Sequence, residues 1–464
     1  MDQPTKTPAE LLPPGKHPTG LYVLFATEMW ERFSYYGMRA LLVYYMLKAL
    51  FLPGNTGHIF GYEAVKHALE WVFGPLTPQA LSSQIYGIYA CFTYLAPIVG
   101  GTIADRWLGQ RRSVILGGAI MAAAEFMLMK QSLFFPALLL LVVGNGFFKP
   151  NISTQVGNLY PAGDHRRDPA FSIFYVGINV GAGLSPFIAG TLGENISPYG
   201  RWGFFAAGVG MILGLVIYLW GQRYLAPDNV MKRAARQEAK PAEPLTPDER
   251  KKIWALLAIC LFNIPFWSVY EQQGNTMALW VDANTNRMIF GWEMPATWYQ
   301  SFNSIMIVAF TPLVLAFWRW QDKRKKEPSS IGKMAFGCVL LGLSFLVLLP
   351  QARVVAAGGK ATLGSIAICT AILTLGELYL SPVGLSLVTK LAPPRMVSML
   401  MGVWFMSSCF GDYLSGYLGT YWEKMPHERF FLMLSALACV SGVCMIAMLK
   451  PLKKAIGHGE TVDL

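Results

Sequence analysis

Long apolar runs separated by short polar connections make up most of the chain. A helix needs about 20 mainly apolar residues to cross the hydrocarbon core of a bilayer. Twelve runs reach this length, and their approximate bounds are 20–50, 81–108, 112–132, 134–160, 169–196, 202–224, 251–282, 295–320, 332–351, 364–391, 396–422 and 428–450. The pattern predicts an all-α polytopic membrane protein with twelve transmembrane helices.

The stretch from Thr27 to Ala40 in the first apolar run carries four charged side chains, at Glu28, Glu31, Arg32 and Arg39. At about 100° per residue, most of them fall on one narrow arc of a helix, together with Tyr35. Each ionised side chain near the bilayer centre costs roughly 2.5–3.5 kcal/mol, so this arc must turn away from lipid. The arrangement predicts an ion or substrate pathway inside a helix bundle.

Further charged side chains interrupt later apolar runs. Lys149 lies deep in the fourth run, directly before Pro150, and either snorkels to the membrane surface or needs a carboxylate or anionic ligand. The second half of the chain supplies acids at Glu271, Glu377 and Asp412. Cations in one half and acids in the other can form salt bridges that open and close across a central cavity, as a transporter requires.

Two polar residues of the first half have alternative interpretations. Glu125, a lone acid in the third run, is either paired locally or part of a proton relay. Asn179 lies among small residues and either hydrogen-bonds a neighbouring helix or contacts a ligand. Between the first two runs, residues 51–80 include a short amphipathic segment, which indicates a helix at the membrane surface.

Composition narrows the class of protein. Hydrophobic residues make up 54% of the chain and charged residues only 14%, which is not the balance of a soluble globular protein. The net charge is +11, but segments on the N-terminal side of the membrane hold 26 of the 38 Lys and Arg. This bias predicts that both termini are cytoplasmic and explains the basic balance without a nucleic-acid partner.

No cleavable signal is expected before the first helix, because residues 1–19 are polar and rich in proline. All seven cysteines lie in apolar runs, so we expect packing residues and neither disulfides nor a metal site. Residues 225–250 are rich in Pro, Lys and Glu and predict a cytoplasmic linker. The linker would separate two six-helix bundles, residues 1–224 and 251–464.

Several motifs resemble those of a known family. The run E-M-W-E-R-F-S-Y-Y-G resembles the opening signature of proton-dependent oligopeptide transporters, the POT family of the major facilitator superfamily. The runs F-F-K-P-N-I-S-T, F-Y-V-G-I-N-V-G, F-W-S-V-Y-E-Q-Q-G and G-E-L-Y-L-S-P-V-G are similar to family motifs, and G-G-T-I-A-D-R-W-L-G-Q-R-R resembles the superfamily motif between helices two and three. The resemblance implies proton-driven import of di- and tripeptides by a monomer in the cell inner membrane, with the proton gradient as energy source and no cofactor.

The resemblance also implies roles for particular residues. Glu28, Glu31 and Arg32 would couple protons, while Arg39 and Lys149 would bind the substrate carboxylate. The remaining expected substrate contacts are Glu377 for the peptide amine, the hydrogen-bonding residues Tyr35, Tyr94, Asn179 and Asn303, and the apolar walls Trp267 and Trp404. Two salt bridges, Arg39 with Glu271 and Lys149 with Glu377, would act as gates.

The chain also departs from the family pattern. The linker is too short for the two extra helices of many bacterial members, so we expect twelve helices. Gly87 stands where animal members carry a histidine, and Asp412 stands where relatives often have asparagine, either as a partner to a cation or as part of the proton route. The alternative function is proton-coupled transport of another small solute, such as nitrate or a peptide-like drug, but Glu377 would repel an anion. Enzyme motifs such as H-E-x-x-H and G-x-S-x-G are missing from the sequence, so we expect no enzyme.

Overall fold

The computed structural model of the chain describes residues 9, 16–161, 164–227, 245–393 and 396–456. Helices account for nearly all of them, and each of the twelve predicted apolar runs coincides with a long helix. Most of the predicted linker, residues 228–244, lies outside the described residues, as do residues 1–8 and 10–15.

The described part of the first half contains six long helices and two short ones. Their bounds are α1 Thr19–Tyr45, α2 Tyr62–Phe73, α3 Pro78–Ile103, α4 Gln110–Leu128, α5 Phe134–Asn158, α6 Arg167–Ser185, α7 Thr191–Asn195 and α8 Arg201–Gly221. Turns of π-helix extend α1 over Met46–Leu50 and α3 over Ala104–Leu108, and another, Pro186–Gly190, joins α6 to α7. The short α2 confirms that the amphipathic segment between the first two apolar runs is helical.

The second half repeats this architecture with small additions. Its helices are α9 Pro247–Tyr270, α10 Thr276–Asn284, α11 Gln300–Lys323, α12 Ser330–Leu346, α13 Leu348–Ala356, α14 Leu363–Leu391, α15 Val397–Gly419 and α16 His427–Ile456. Thr246 and Glu249 form a reciprocal capping box that starts α9. Four two-residue strands follow α10 or precede α14: β1 Thr285–Asn286, β2 Met288–Ile289, β3 Trp292–Glu293 and β4 Ala361–Thr362. β1 pairs with β4 in parallel, and β2 pairs with β3 as a hairpin.

Nine helical segments of the described chain are long and apolar enough to cross a membrane. The three predicted spans outside this set are α1, α4 and α15. Charged or polar side chains such as Glu31, Arg111 and Asp412 lower their hydropathy. These three are therefore helices whose polar residues must be covered by protein and not by lipid.

The chain divides into two compact units. The first comprises the described residues of Met1–Val65 and Phe92–Pro241, and the second comprises those of Lys66–Cys91 and Ala242–Leu464. The first half of α3 thus belongs to the second unit. The division at residues 225–250 that we expected from the apolar pattern stays a prediction.

In the first unit, α1 packs against α6 and α8, and α4 packs against α5 and α8. Glycines allow some of these helices to touch backbone to backbone. A Cβ atom added to Gly100 of α3 would lie 2.1 Å from the carbonyl oxygen of Gly146 in α5. No side chain fits there, so these two helices approach as closely as their main chains permit.

In the second unit, α12 packs against α14 and α16, and α9 packs against α15 and α16. Gly337 of α12 repeats the close approach, because its Cβ atom would lie 2.6 Å from the carbonyl oxygen of Gly376 in α14.

One cysteine pair corrects the sequence analysis. Cys91 of α3 and Cys409 of α15 form a disulfide between Cα atoms 4.0 Å apart, so the expectation of packing cysteines without disulfides was wrong for these two. They are 318 positions apart in sequence, and only the packing of α3 on α15 brings them together. Cys260, Cys338 and Cys369 are free and buried, as expected of packing residues.

Outside the membrane-spanning helices, Arg166 contacts a segment near the N-terminus through two of its described residues, Ala9 and Lys16. Its guanidinium lies 2.7 Å from the Asp164 carboxylate and donates to the backbone oxygens of Ala9 and Lys16 at 3.0 Å each. The hydrogen bonds from Arg166 lower the pKa of Asp164 from its usual 3.8 to about 2. The carboxylate therefore stays ionised at neutral pH and orients the guanidinium toward the segment.

Candidate functional site

The charged arc of α1 is buried inside the first unit. Glu28, Glu31 and Arg32 are 2%, 0% and 4% exposed, and we call these three residues the α1 ion cluster. Arg32 Nε lies 2.9 Å from Glu28 Oε1 and 2.5 Å from Glu31 Oε2. Glu28 and Arg32 are one helical turn apart, which is why they meet on one face. The single guanidinium of Arg32 thus pairs with two carboxylates that are buried from water.

Lys149 of α5 adds a second positive charge to this region. Its charge acts on the carboxylates of both Glu28 and Glu31. The ammonium lies 4.7 Å from the ring centre of Tyr94, within the range of a cation–π contact. The α5 helix continues through Pro150 to Asn158, so Lys149 lies more than two turns from its end. The structure therefore brings together Lys149, Tyr94 and the two glutamates that the sequence singled out.

Three more of the predicted site residues lie in the same unit. Arg32 stands over the ring of Tyr35 with Cζ 5.3 Å from its centre, and Arg39 stands 5.9 Å from the ring centre of Tyr36. The Asn179 side-chain amide donates to the Tyr175 backbone oxygen, one turn back in its own helix, at 3.0 Å. This bond is neither of the two contacts considered from the sequence, and the role of Asn179 in substrate binding stays a prediction.

Glu125 of α4 is 0% exposed. The Ser34 hydroxyl of α1 donates to its Oε1 at 3.3 Å. Its Oε2 is buried and has no hydrogen-bond partner among the described residues. Ser34 was not predicted to contact Glu125. It lies one turn after Glu31, so both side chains are on the same side of α1.

In the second unit, Glu377 of α14 is held by two neighbours. Its Oε2 accepts from the Tyr270 hydroxyl at 2.7 Å and from the Asn303 amide at 3.1 Å. The same amide also donates to Thr374 Oγ1 at 3.0 Å. The structure thus joins Asn303 to Glu377, both of which were predicted for the site. The structure adds Tyr270 and Thr374 to this hydrogen-bonded group, and the sequence had indicated no role for either residue.

Glu271 lies on the 3₁₀ turn that follows α9, with 4% exposure. The hydroxyl of Tyr86 in α3 donates to Glu271 Oε2 at 3.0 Å. Tyr86 was not expected at this site, because residues 185 positions apart give no local signal. The predicted gate acid therefore has a fixed neighbour inside its own unit.

The two predicted tryptophans are both buried in the second unit. Trp267 packs edge-on against Tyr270 with ring centres 5.1 Å apart, and its indole nitrogen has no hydrogen-bond partner among the described residues. Trp404 lies against Gly384, where a Cβ atom would come within 2.3 Å of its ring. Gly384 thus makes room for the indole, and any side chain there would displace it.

The packing around Gly87 accounts for one departure from the family pattern. A Cβ atom at Gly87 would lie 2.7 Å from the backbone of Gly416 and 2.8 Å from the backbone oxygen of Asp412 in α15. A histidine therefore does not fit at this position in this structure. Asp412 itself is buried, with 1% exposure.

The predicted gate pairs combine residues of different units, Arg39 with Glu271 and Lys149 with Glu377, and they stay predictions. Among the residues that the structure describes, no group of three or more His, Cys, Asp or Glu side chains is arranged to hold a metal ion.

Comparison with known proteins gives consistent matches. A sequence model described as "POT family" matches residues 111–241 and 234–433. The chain is 32% identical over 502 residues to a di-/tripeptide transporter of Lactococcus lactis subsp. cremoris, covering 95% of this chain and 97% of that protein. Among solved structures, a peptide transporter POT in complex with sulfate has a TM-score of 0.80 at 30% identity, covering 96% of this chain and 97% of the other. A POT family transporter in complex with a thioalcohol-conjugated peptide has a TM-score of 0.79 at 27% identity, covering 94% and 97%.

Proposed function

Because the chain belongs to the POT family of the major facilitator superfamily, we propose that it imports di- and tripeptides together with protons by alternating access. It is a transporter with twelve membrane-spanning helices and not an enzyme. The relatives named above are a di-/tripeptide transporter, a peptide transporter, and a POT family transporter that holds a conjugated peptide.

The observation that carries the proposal is the α1 ion cluster. Two carboxylates share one guanidinium in a region without water access, so they cannot both be ionised at low cost unless another cation is near. A small change in the position of Lys149 changes how easily both carboxylates can be ionised. Such a group can take up a proton when a cation moves away and release it when the cation returns, which is what coupling requires. We assign proton coupling to Glu28, Glu31 and Arg32.

A zwitterionic peptide offers one positive and one negative terminus. Glu377, positioned by Tyr270 and Asn303, supplies an anion for the amine. Arg39 and Lys149 supply cations for the carboxylate. The other residues that we assign to the peptide are Tyr35, Tyr94, Asn179, Asn303, Trp267 and Trp404.

The gates follow from the same charges. A bridge between Arg39 and Glu271 would close the outer side, and a bridge between Lys149 and Glu377 would respond to the peptide termini. Removing one member of a desolvated ion pair shifts an equilibrium between states that differ by only a few kcal/mol. We further propose a monomer in the inner membrane with both termini in the cytoplasm, driven by the proton gradient alone. The orientation is supported by the bias of Lys and Arg along the chain.

The test is uptake of a labelled dipeptide into proteoliposomes with and without an inward proton gradient. We expect accumulation above the external concentration only with the gradient, and its loss when a protonophore is added. An excess of unlabelled tripeptide should compete, whereas an excess of nitrate should not. The proposal would be refuted by accumulation that does not depend on the proton gradient, or by competition from nitrate alone.

A further inference from the structure

We propose that Glu125 is an additional proton-carrying residue, which holds a proton beside the α1 ion cluster and passes it to Glu31. The inference rests on the proposed function, since it assigns a further residue to proton coupling. It is carried by the burial of Glu125, its hydrogen bond to α1, and the charge balance of its surroundings.

Glu125 is fully buried yet has no cation at ion-pair distance among the described residues. Its one hydrogen bond comes from a neutral hydroxyl, that of Ser34, and its Oε2 has no partner among those residues. An ionised carboxylate in such surroundings loses its hydration and gains no cation in return, so the group stays neutral. In this neutral form, the carboxyl group of Glu125 holds a proton.

The charge balance of the neighbourhood leads to the same conclusion. Glu28, Glu31 and Glu125 bring three negative charges when they are all ionised. Arg32 and Lys149 bring two positive charges, even when Lys149 is counted in full. One proton is needed for neutrality. Glu28 and Glu31 lie within 3 Å of Arg32 Nε, so Glu125 is the acid that keeps the proton.

The other elements packed on α4 do not change this balance. They include α1, α5, α8 and the π-helical turn Ala104–Leu108. The charged residues on the last three are Lys149, Arg201, Asp105 and Arg106, and α1 carries Arg39 in addition to the α1 ion cluster. Glu31, itself a carboxylate, is a charged group that acts on Glu125. Ionisation of either acid therefore makes ionisation of the other less favourable.

This coupling gives the transfer step. When Arg32 moves from Glu31 toward Glu125, the proton leaves Glu125, whose carboxylate then pairs with the guanidinium, and Glu31 accepts the proton and becomes neutral. The total charge is unchanged. Ser34 lies on α1 one turn beyond Glu31, and its hydroxyl donates to Glu125 Oε1 at 3.3 Å, so the helix that carries Glu31 also carries the hydroxyl that contacts Glu125.

The experiment compares proton-driven uptake with exchange that moves no net protons. The variants are Glu125→Gln, which keeps the shape without the titratable group, and Glu125→Asp, which keeps the acid. Each is reconstituted, and labelled dipeptide uptake is measured with an inward gradient of about one pH unit and as counterflow at equal pH. We expect Glu125→Gln to slow driven uptake about tenfold or more, in line with the effect of removing a positioned acid. Counterflow should stay within about twofold of wild type, and Glu125→Asp should restore much of the driven rate.

An independent readout is the infrared carbonyl band of protonated carboxyl groups in the purified protein. We expect part of this band at neutral pH to be absent in Glu125→Gln. Unchanged driven uptake, an equal loss of counterflow, or an unchanged band would overturn the inference. If wild-type protein shows no proton-driven dipeptide uptake, the proposed function fails, and the infrared band still decides whether Glu125 holds a proton.

Discussion

Replacing Glu377 by glutamine tests whether this acid binds the amino terminus of a peptide. Two neighbours fix its Oε2, Tyr270 at 2.7 Å and Asn303 at 3.1 Å. Glutamine has nearly the same shape and keeps a carbonyl oxygen that can accept from them. The substitution Glu377→Gln therefore removes the charge and leaves most of the local packing in place.

The size of the effect follows from the type of bond that is lost. A hydrogen bond to a charged group contributes about 1.5–3 kcal/mol, which corresponds to roughly 10- to 150-fold in affinity. We expect this loss only for dipeptides with a free amine. An N-acetylated dipeptide should bind weakly to wild type and equally weakly to Glu377→Gln, because it has no positive terminus to lose.

The assay is competition of both dipeptides against a labelled dipeptide, in wild type and in the variant. The four affinities form a thermodynamic cycle whose coupling energy isolates the contact between the amine and the acid. Glu428→Gln is a matched control, since Glu428 pairs with Arg353 at the surface. A coupling energy near zero, or acetylated and free dipeptides that compete equally in wild type, would show that Glu377 does not read the amine.

Three further predictions concern coupling, packing and pH. Glu31→Gln should abolish uphill dipeptide uptake while leaving exchange between equal pools measurable, and normal concentrative uptake would disprove its role. Gly87→Ala should destabilise the purified protein by about 1–3 kcal/mol in thermal unfolding, because the added methyl group meets backbone atoms at 2.7 Å. Gly101→Ala is the control, since its Cβ atom would make only ordinary contacts at 3.6 Å and should change little. The folded-state pKa of Asp164 is about 2, below the usual 3.8, so its contribution is complete above about pH 4 and is lost as the pH falls toward 2. Limited proteolysis near Lys16 should therefore stay slow down to about pH 4 and accelerate below it, and Asp164→Asn should accelerate it at neutral pH through the lost contact with Arg166.

The sequence was sufficient for the fold because each apolar run is long and the connections between runs are short. Hydropathy is a local property, and a helix also forms from local hydrogen bonds. Even α1, whose charges lower its hydropathy, was recognisable from the arc on which Glu28 and Arg32 lie. The same reasoning predicted that Lys149 and Glu377 are charges inside apolar helices, and the structure places both within long helices, where they are partly buried.

The partners of these charges were beyond prediction from the sequence alone. The hydroxyl groups of Tyr86 and Tyr270 each donate a hydrogen bond to an acid that we predicted for the site, yet tyrosine is common in membrane helices and its hydroxyl gives no periodic signal. The disulfide between Cys91 and Cys409 likewise depends on two helices distant in sequence. Such contacts are set by how the helices pack, and a hydrophobic pattern specifies which face is buried but not which residues meet there.

The glycine contacts have a consequence for libraries of variants. At Gly100 and Gly337, even the first carbon of a side chain would fall within 2.1 Å and 2.6 Å of a carbonyl oxygen in the facing helix. Suppose that a library of all single substitutions is selected only for stable membrane insertion. Nearly every substitution at these two positions would be lost, and the loss would not depend on the nutrient that the cells receive. The loss of substitutions at these two positions therefore reports the spacing of two main chains, and it carries no information about the transported substrate.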